Sequence, residues 1–137
     1  MWFPPTTAQR LSCDASIGRV LLNPAGIPLE LGRQTRVFTP AQRRALTLRD
    51  AGCRFPNCSR PAAHTDAHHL TSWAAGGTTD LTNGLLLCRH HHRQVHEGGW
   101  TIHPTSPSDG ANSTLHFTSP TGTHFPSPVP TAHGPSP

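Results

Sequence analysis

Apolar positions come in short bursts along this chain, separated by proline, glycine and threonine. Val20–Leu22 and Ile27–Leu31 flank the turn residues NPAG, a pattern that predicts a hairpin across 17–32. The segment TPAQRRALTLRDAG predicts a helix with both ends marked. Thr39 stands as N-cap, Pro40 at the first helical position, and Gln42 completes a capping box. Gly52 is read as its terminator. Ala41, Ala45 and Leu48 form the expected apolar stripe, leaving Arg43 and Arg44 exposed. DAHHL (66–70) predicts a short strand, followed by a Gly-Gly loop and by Asn83 ahead of the apolar run Leu85–Leu87. The stretch CRHHHRQVH (88–96) then predicts a second helix. Beyond Pro104 the pattern fades: STLHFTSPTGTHF offers one more hairpin, and the last dozen residues read as disordered. The expected organisation is a lead-in and hairpin over 1–36, a domain over 37–103, and a Pro/Ser/Thr-rich tail over 104–137.

Composition narrows what such a domain rests on. Only 34% of the 137 residues are hydrophobic, which is thin for one apolar core, and small domains short of core recruit metals or disulfides. Four cysteines and eleven histidines suit metals. The first residues do not resemble a secretory leader, and no run approaches the roughly 18 apolar residues of a membrane span. A cytoplasmic, reducing setting is therefore expected, where cysteine pairs serve more often as ligands than as disulfides.

All eleven basic residues are arginine. Nine of them fall between Arg33 and Arg93 against three aspartates, so that segment carries a net charge of +6 while the rest carries −2. Guanidinium binds phosphate bidentately, so this concentration suggests a nucleic-acid surface, although a genome biased against lysine codons would produce the same replacement.

The ligand pattern is denser. Cys53 and Cys58 enclose four residues, and Cys88 with His91 follows in C-x-x-H spacing. Two such knuckles make a closed tetrahedral zinc site. Cys13 is left over and is read as a core residue. On a helix, His92 and His96 share a face, Cys88 and His91 turn toward a neighbouring sector, and His90 points away from both. One helix thereby serves two metals.

With His68-His69 on the first strand, Asn83 in the centre, and His92 with His96 on the helix, the chain resembles the HNH endonucleases of the ββα-metal class. The resemblance covers 53–100 and includes the variant that carries two cysteine knuckles. The stretch from RLSCDA to HEGGW further resembles the actinobacterial thirteen-E-twelve repeat proteins, of which this chain would be the C-terminal portion. The resemblance implies a small α+β fold: a ββα-metal core with a zinc knuckle, preceded by the hairpin and capped helix and followed by the Pro-rich tail.

It also implies roles. His69 would be the general base in phosphodiester hydrolysis, and Asn83 would orient it. His68 and His92 would hold one divalent ion such as Mg²⁺ or Mn²⁺, with His96 as a third ligand or a phosphate contact. Asp66 shares a strand face with His68 by two-residue alternation, so it would ligate or support a ligand. The same alternation turns His68 and His69 apart. The strand must therefore bend or end there, and exchanged roles for the two stay open. Arg54, Arg60, Arg89 and Arg93 would contact the DNA backbone, which positions without reading sequence. Trp73 and Trp100 are read as packing residues. The competing reading is a zinc-stabilised nucleic-acid-binding module without cleavage, or an inactive fragment. A zinc deaminase would need H-x-E with P-C-x-x-C, and neither motif occurs.

Overall fold

The computed structural model describes residues 28–130. The first arm of the expected 17–32 hairpin, Cys13 and residues 131–137 lie outside them. Of the last dozen residues, expected to be disordered, Pro126 and Ser127 instead belong to a strand, and Ser127 is buried. Helix α1 spans Pro40–Asp50 and realises its sequence signals at the N-terminus. The Thr39 hydroxyl accepts from the Gln42 backbone N–H at 3.1 Å, and Gln42 Oε1 accepts from the Thr39 N–H at 3.0 Å. At the other end the left-handed residue is Ala51, with φ 64°. Gly52 serves a different purpose: a Cβ there would stand 2.3 Å from the Arg60 carbonyl oxygen, where the chain crosses itself in a bridge to Pro61.

The buried face of α1 is not the expected stripe. Leu48 is 78% exposed, while Gln42, Leu46 and Asp50, spaced four apart, face inward with Ala41. A hydrophobicity reading misses this face because two of its members are polar. Both are held by hydrogen bonds. Gln42 Nε2 donates to the carbonyls of Leu29 and Thr79, and the Asp50 carboxylate accepts from the Leu86 N–H and from Arg49 and Arg54. Arg44 is exposed as expected, but Arg43 is only half-exposed and donates to the carbonyls of Ala62 and Thr65.

The centre of the molecule is a ββα unit. Strands β1 (Thr65–His69) and β2 (Gly84–Cys88) pair antiparallel, with Thr65 opposite Cys88 and His69 opposite Gly84. Helix α2 (Arg89–Glu97) follows β2 directly, with Cys88 as its N-cap residue. All five residues of β2 are buried, as expected of a strand covered on both faces.

The boundary expected at 104 passes through a second sheet. Strands β3 (Thr101–Pro104), β4 (Leu115–Thr118) and β5 (His124–Ser127) form an antiparallel meander, so the residues set apart as a tail supply two strands. They also supply core. Ala111, Leu115 and Phe117 are fully buried in one cluster with Cys53, Leu85, Leu87 and Cys88. Arg54 ties this sheet to the rest: its guanidinium pairs with Asp50 at 2.9 Å and donates to the carbonyls of Ala111, Ser113 and Ser127. At 2% exposure Arg54 has no surface to offer DNA, which corrects its assignment as a backbone contact. A buried arginine is tolerable only with such a partner set.

Candidate functional site

Helix α2 presents ligands to two separate clusters. In the first, one ligand atom from each of Cys53, Cys58, Cys88 and His91 lies within 4.8 Å of the others. His91 Nδ1 stands 3.3 Å from Cys88 Sγ and 3.7 Å from Cys53 Sγ. A sulfur and a nitrogen bound to one tetrahedral zinc lie about 3.6 Å apart, so the spacing fits that ion. Phe55, inside the C-x4-C turn, stacks flat on the His91 ring with centroids 3.9 Å apart. Its edges meet Trp100 and Phe117, joining the cluster to the apolar core. Burial pushes the Cys53 thiol up to about 12. For Cys88 burial acts in the same direction, but hydrogen bonds from the His91 backbone and the neighbouring thiols bring it below its ordinary value. For a buried thiol such as Cys53 to ionise and ligate, a cation must stand beside it.

The second cluster joins His68 from β1 with His92 and His96 from α2, again with ligand atoms within 4.8 Å. His92 Nε2 and His96 Nε2 are 3.1 Å apart. Two nitrogens each about 2.1 Å from one ion stand about 3.0–3.4 Å apart at angles of 90–109°, so this pair also fits a metal. Burial, then the charges of His92, His96 and His69, push His68 down to about 3, which keeps its imidazole neutral and free to ligate. His92 is lowered as well, by burial and then by His96. The Asp66 carboxylate lies outside the trio, 3.8 Å from His92 Nδ1 on the side away from His96. Asp66 therefore stands beside one of these imidazoles and not among the three grouped ligand atoms.

His69 closes β1, and the strand ends there, which resolves the alternation problem. His68 and His69 both line an open cavity of about 380 Å³, together with Arg36, Trp73, His92 and His96. His69 packs on Phe38 at 4.6 Å, and its Nε2 lies 3.0 Å from the Thr79 hydroxyl. Burial lowers its pKa, with the charges of Arg36 and Arg33 adding to the effect.

The hydrogen bonds of the Asn83 side chain do not go to the His69 ring that it was expected to orient. Its side chain instead fastens the loop between the strands. Oδ1 accepts from the Thr71 N–H at 2.8 Å, and Nδ2 donates to the carbonyls of Thr71 and Thr78. Gly77 makes this closure possible, since a Cβ there would fall 1.8 Å from the Thr71 oxygen. From outside, Arg33 stacks over Trp73 at 3.7 Å and donates to the carbonyls of Trp73 and Gly77. One face of Trp73 is therefore covered.

The arginines divide. Arg49 donates to Asp50 and to the carbonyls of Leu81 and Gly84, so with Arg33, Arg43 and Arg54 it is engaged with the protein itself. Arg36, Arg44, Arg60, Arg89 and Arg93 are exposed, and Arg36, which stands in no motif, faces the His69 cavity. Thr79 is equally silent in the sequence. A threonine in a loop carries no signal, and only folding brings it to His69.

The family model for HNH endonucleases matches residues 53–98, the segment that holds both clusters, β1, β2 and α2. Residues 53–98 are an HNH domain. Its relatives include uncharacterized proteins of Mycobacterium tuberculosis (strain H37Rv) and Mycobacterium bovis, each 38% identical over 82 residues, or 60% of this chain and 18% of the relative. Another uncharacterized M. tuberculosis protein is 39% identical over 75 residues, or 55% of this chain and 16% of its own length. The chain thus spans about a fifth or less of the length of the curated relatives it matches. No solved structure gave a significant match. Among the described residues no helix is long and apolar enough to cross a membrane.

Proposed function

We propose that this chain is a metal-dependent DNA endonuclease that hydrolyses phosphodiester bonds with His69 as general base. The observation that carries the reading is the shared cavity: a candidate base and three histidines whose ring nitrogens could ligate one metal face one open space within an HNH domain. His68, His92 and His96 would hold one divalent ion, and Cys53, Cys58, Cys88 and His91 a structural zinc. When bound at the histidine trio, a divalent ion supplies Lewis-acid polarisation of the phosphate and neutralises charge gained in the transition state. His69 takes a proton from the attacking water as its oxygen bonds to phosphorus and one P–O ester bond breaks. Asp66 steadies the His92 ring. Asn83, through the loop it fastens, holds the cavity wall in place. Arg60, Arg89 and Arg93 supply sequence-independent backbone contacts. Membership in the thirteen-E-twelve repeat group belongs to the same proposal.

Supercoiled plasmid incubated with the chain and Mg²⁺ or Mn²⁺ is expected to pass to nicked and linear forms, and EDTA is expected to stop this. His69→Ala should keep its fold, zinc and DNA affinity yet lose activity by roughly 10²–10⁴, the usual contribution of a positioned base. Equal nicking by both proteins would put the base elsewhere. DNA binding without cutting in any divalent metal would establish the binding module instead.

A further inference from the structure

Thr79 is fully buried, and residues upstream of 53–98 engage every one of its polar atoms. Its N–H donates to the Gly32 carbonyl at 2.8 Å, and its own carbonyl accepts from the Leu31 N–H at 3.2 Å and from Gln42 Nε2 at 2.8 Å. Its hydroxyl donates to the Arg36 carbonyl at 3.3 Å and meets His69 Nε2 at 3.0 Å. A hydroxyl has one proton. The Arg36 carbonyl can only accept, so the one arrangement that satisfies both contacts sends the proton there and turns the hydroxyl lone pairs to His69. His69 Nε2 must then carry the N–H, and a neutral imidazole so protonated has its lone pair on Nδ1.

We infer that Thr79 is a positioning residue that fixes His69 as the Nε2–H tautomer, leaving Nδ1 to accept the proton from water. The segment from Leu29 to Gln42, which holds Thr79, is by this inference part of the catalytic unit although it lies outside the family-matched residues. Gln42 connects the two: one side chain closes the capping box of α1 and binds the Thr79 carbonyl. Asn83 shapes the loop, whereas Thr79 acts on the ring. The catalytic part of this inference rests on the reading of His69 as the base; the tautomer does not.

Long-range ¹H–¹⁵N correlation spectra of the metal-loaded full chain, with His69 assigned by loss of its signals in His69→Ala, read the tautomer directly. The expected pattern is a protonated Nε2 and an unprotonated Nδ1. A protonated Nδ1 in the wild type would overturn the inference. Thr79→Val keeps the shape and removes the hydroxyl. It is expected to give mixed tautomers and a kcat lower by roughly 10–100-fold with KM unchanged, in line with other outer-sphere partners of active-site histidines. Thr79→Ser should restore both. A Thr79→Val chain with the wild-type tautomer and wild-type kcat would refute the role. Should that variant not fold, the wild-type spectrum decides alone. If no chain cuts DNA in any divalent metal, the nuclease reading fails while the spectra still decide the tautomer.

Discussion

The two clusters on α2 use the same helix and overlapping ligand chemistry, yet they sit in opposite surroundings. The Cys53–Cys58–Cys88–His91 group is complete with four ligands, walled by Phe55 and built into the apolar core. The His68–His92–His96 group offers three ligands, ends on an exposed His96, and opens to a cavity. A closed four-ligand set can only hold the fold, whereas an open three-ligand set leaves positions for a reacting group. Residue type does not separate them, since imidazole serves in both. What separates them is which side of α2 faces the aromatic core and which faces β1 and the loop.

Removing a thiolate ligand is expected to have the largest effect. Structural zinc contributes on the order of 10–16 kcal/mol apparent, against a typical domain stability of roughly 5–15 kcal/mol. Cys53→Ser or Cys88→Ser is therefore expected to unfold the domain. Circular dichroism with zinc analysis checks this, and a well-folded, zinc-free variant would remove the distinction between the clusters.

Much of this arrangement is legible in the sequence, and the reasons differ by element. Both ligand sets can be read because a helix fixes angular positions residue by residue, so His92 and His96 have to share a face and His91 has to leave it. The cap at Thr39 is legible because its hydrogen bonds are local. Three features are not. Gln42 and Asp50 are polar, and their burial depends on partners 37 and 36 residues away, Thr79 and Leu86. Arg54 reads as a DNA contact for the same reason, since its partners Ala111, Ser113 and Ser127 lie in the segment expected to be tail. Of the β3–β4–β5 sheet, the β4–β5 pair falls on the expected hairpin STLHFTSPTGTHF, but β3 and the sheet's place in the core are faint in the sequence, because the strands are four residues long and two of them carry a proline.

Arg54→Met sharpens the comparison by disturbing the core beside the closed cluster without touching a ligand. It leaves Asp50 buried with Arg49 as its one remaining charged partner, beside the Leu86 N–H, and removes three carbonyl contacts. A loss of about 3–5 kcal/mol is expected, the usual cost of breaking a buried pair. Chemical denaturation measures it, with zinc content at neutral pH unchanged. A loss below about 1 kcal/mol would show that the C-terminal sheet does not depend on this residue.

The smallest effect belongs to the surface. Arg89→Ala or Arg93→Ala is expected to lower the slope of log affinity against log salt by about 0.9 for each phosphate the arginine had neutralised. Both clusters should remain as they are. Salt-titrated DNA binding tests this, and an unchanged slope in both variants would move the interface away from α2.

On the proposed function, one helix carries a fold-holding site and a separate reacting site. The most direct measurement of it is metal content and second-metal affinity in His92→Ala. The expected result is a folded chain that retains about one zinc, binds Mn²⁺ far more weakly than wild type in titration, and does not nick plasmid. A His92→Ala chain that loses its zinc and unfolds, or that binds Mn²⁺ and cuts as wild type does, would contradict it.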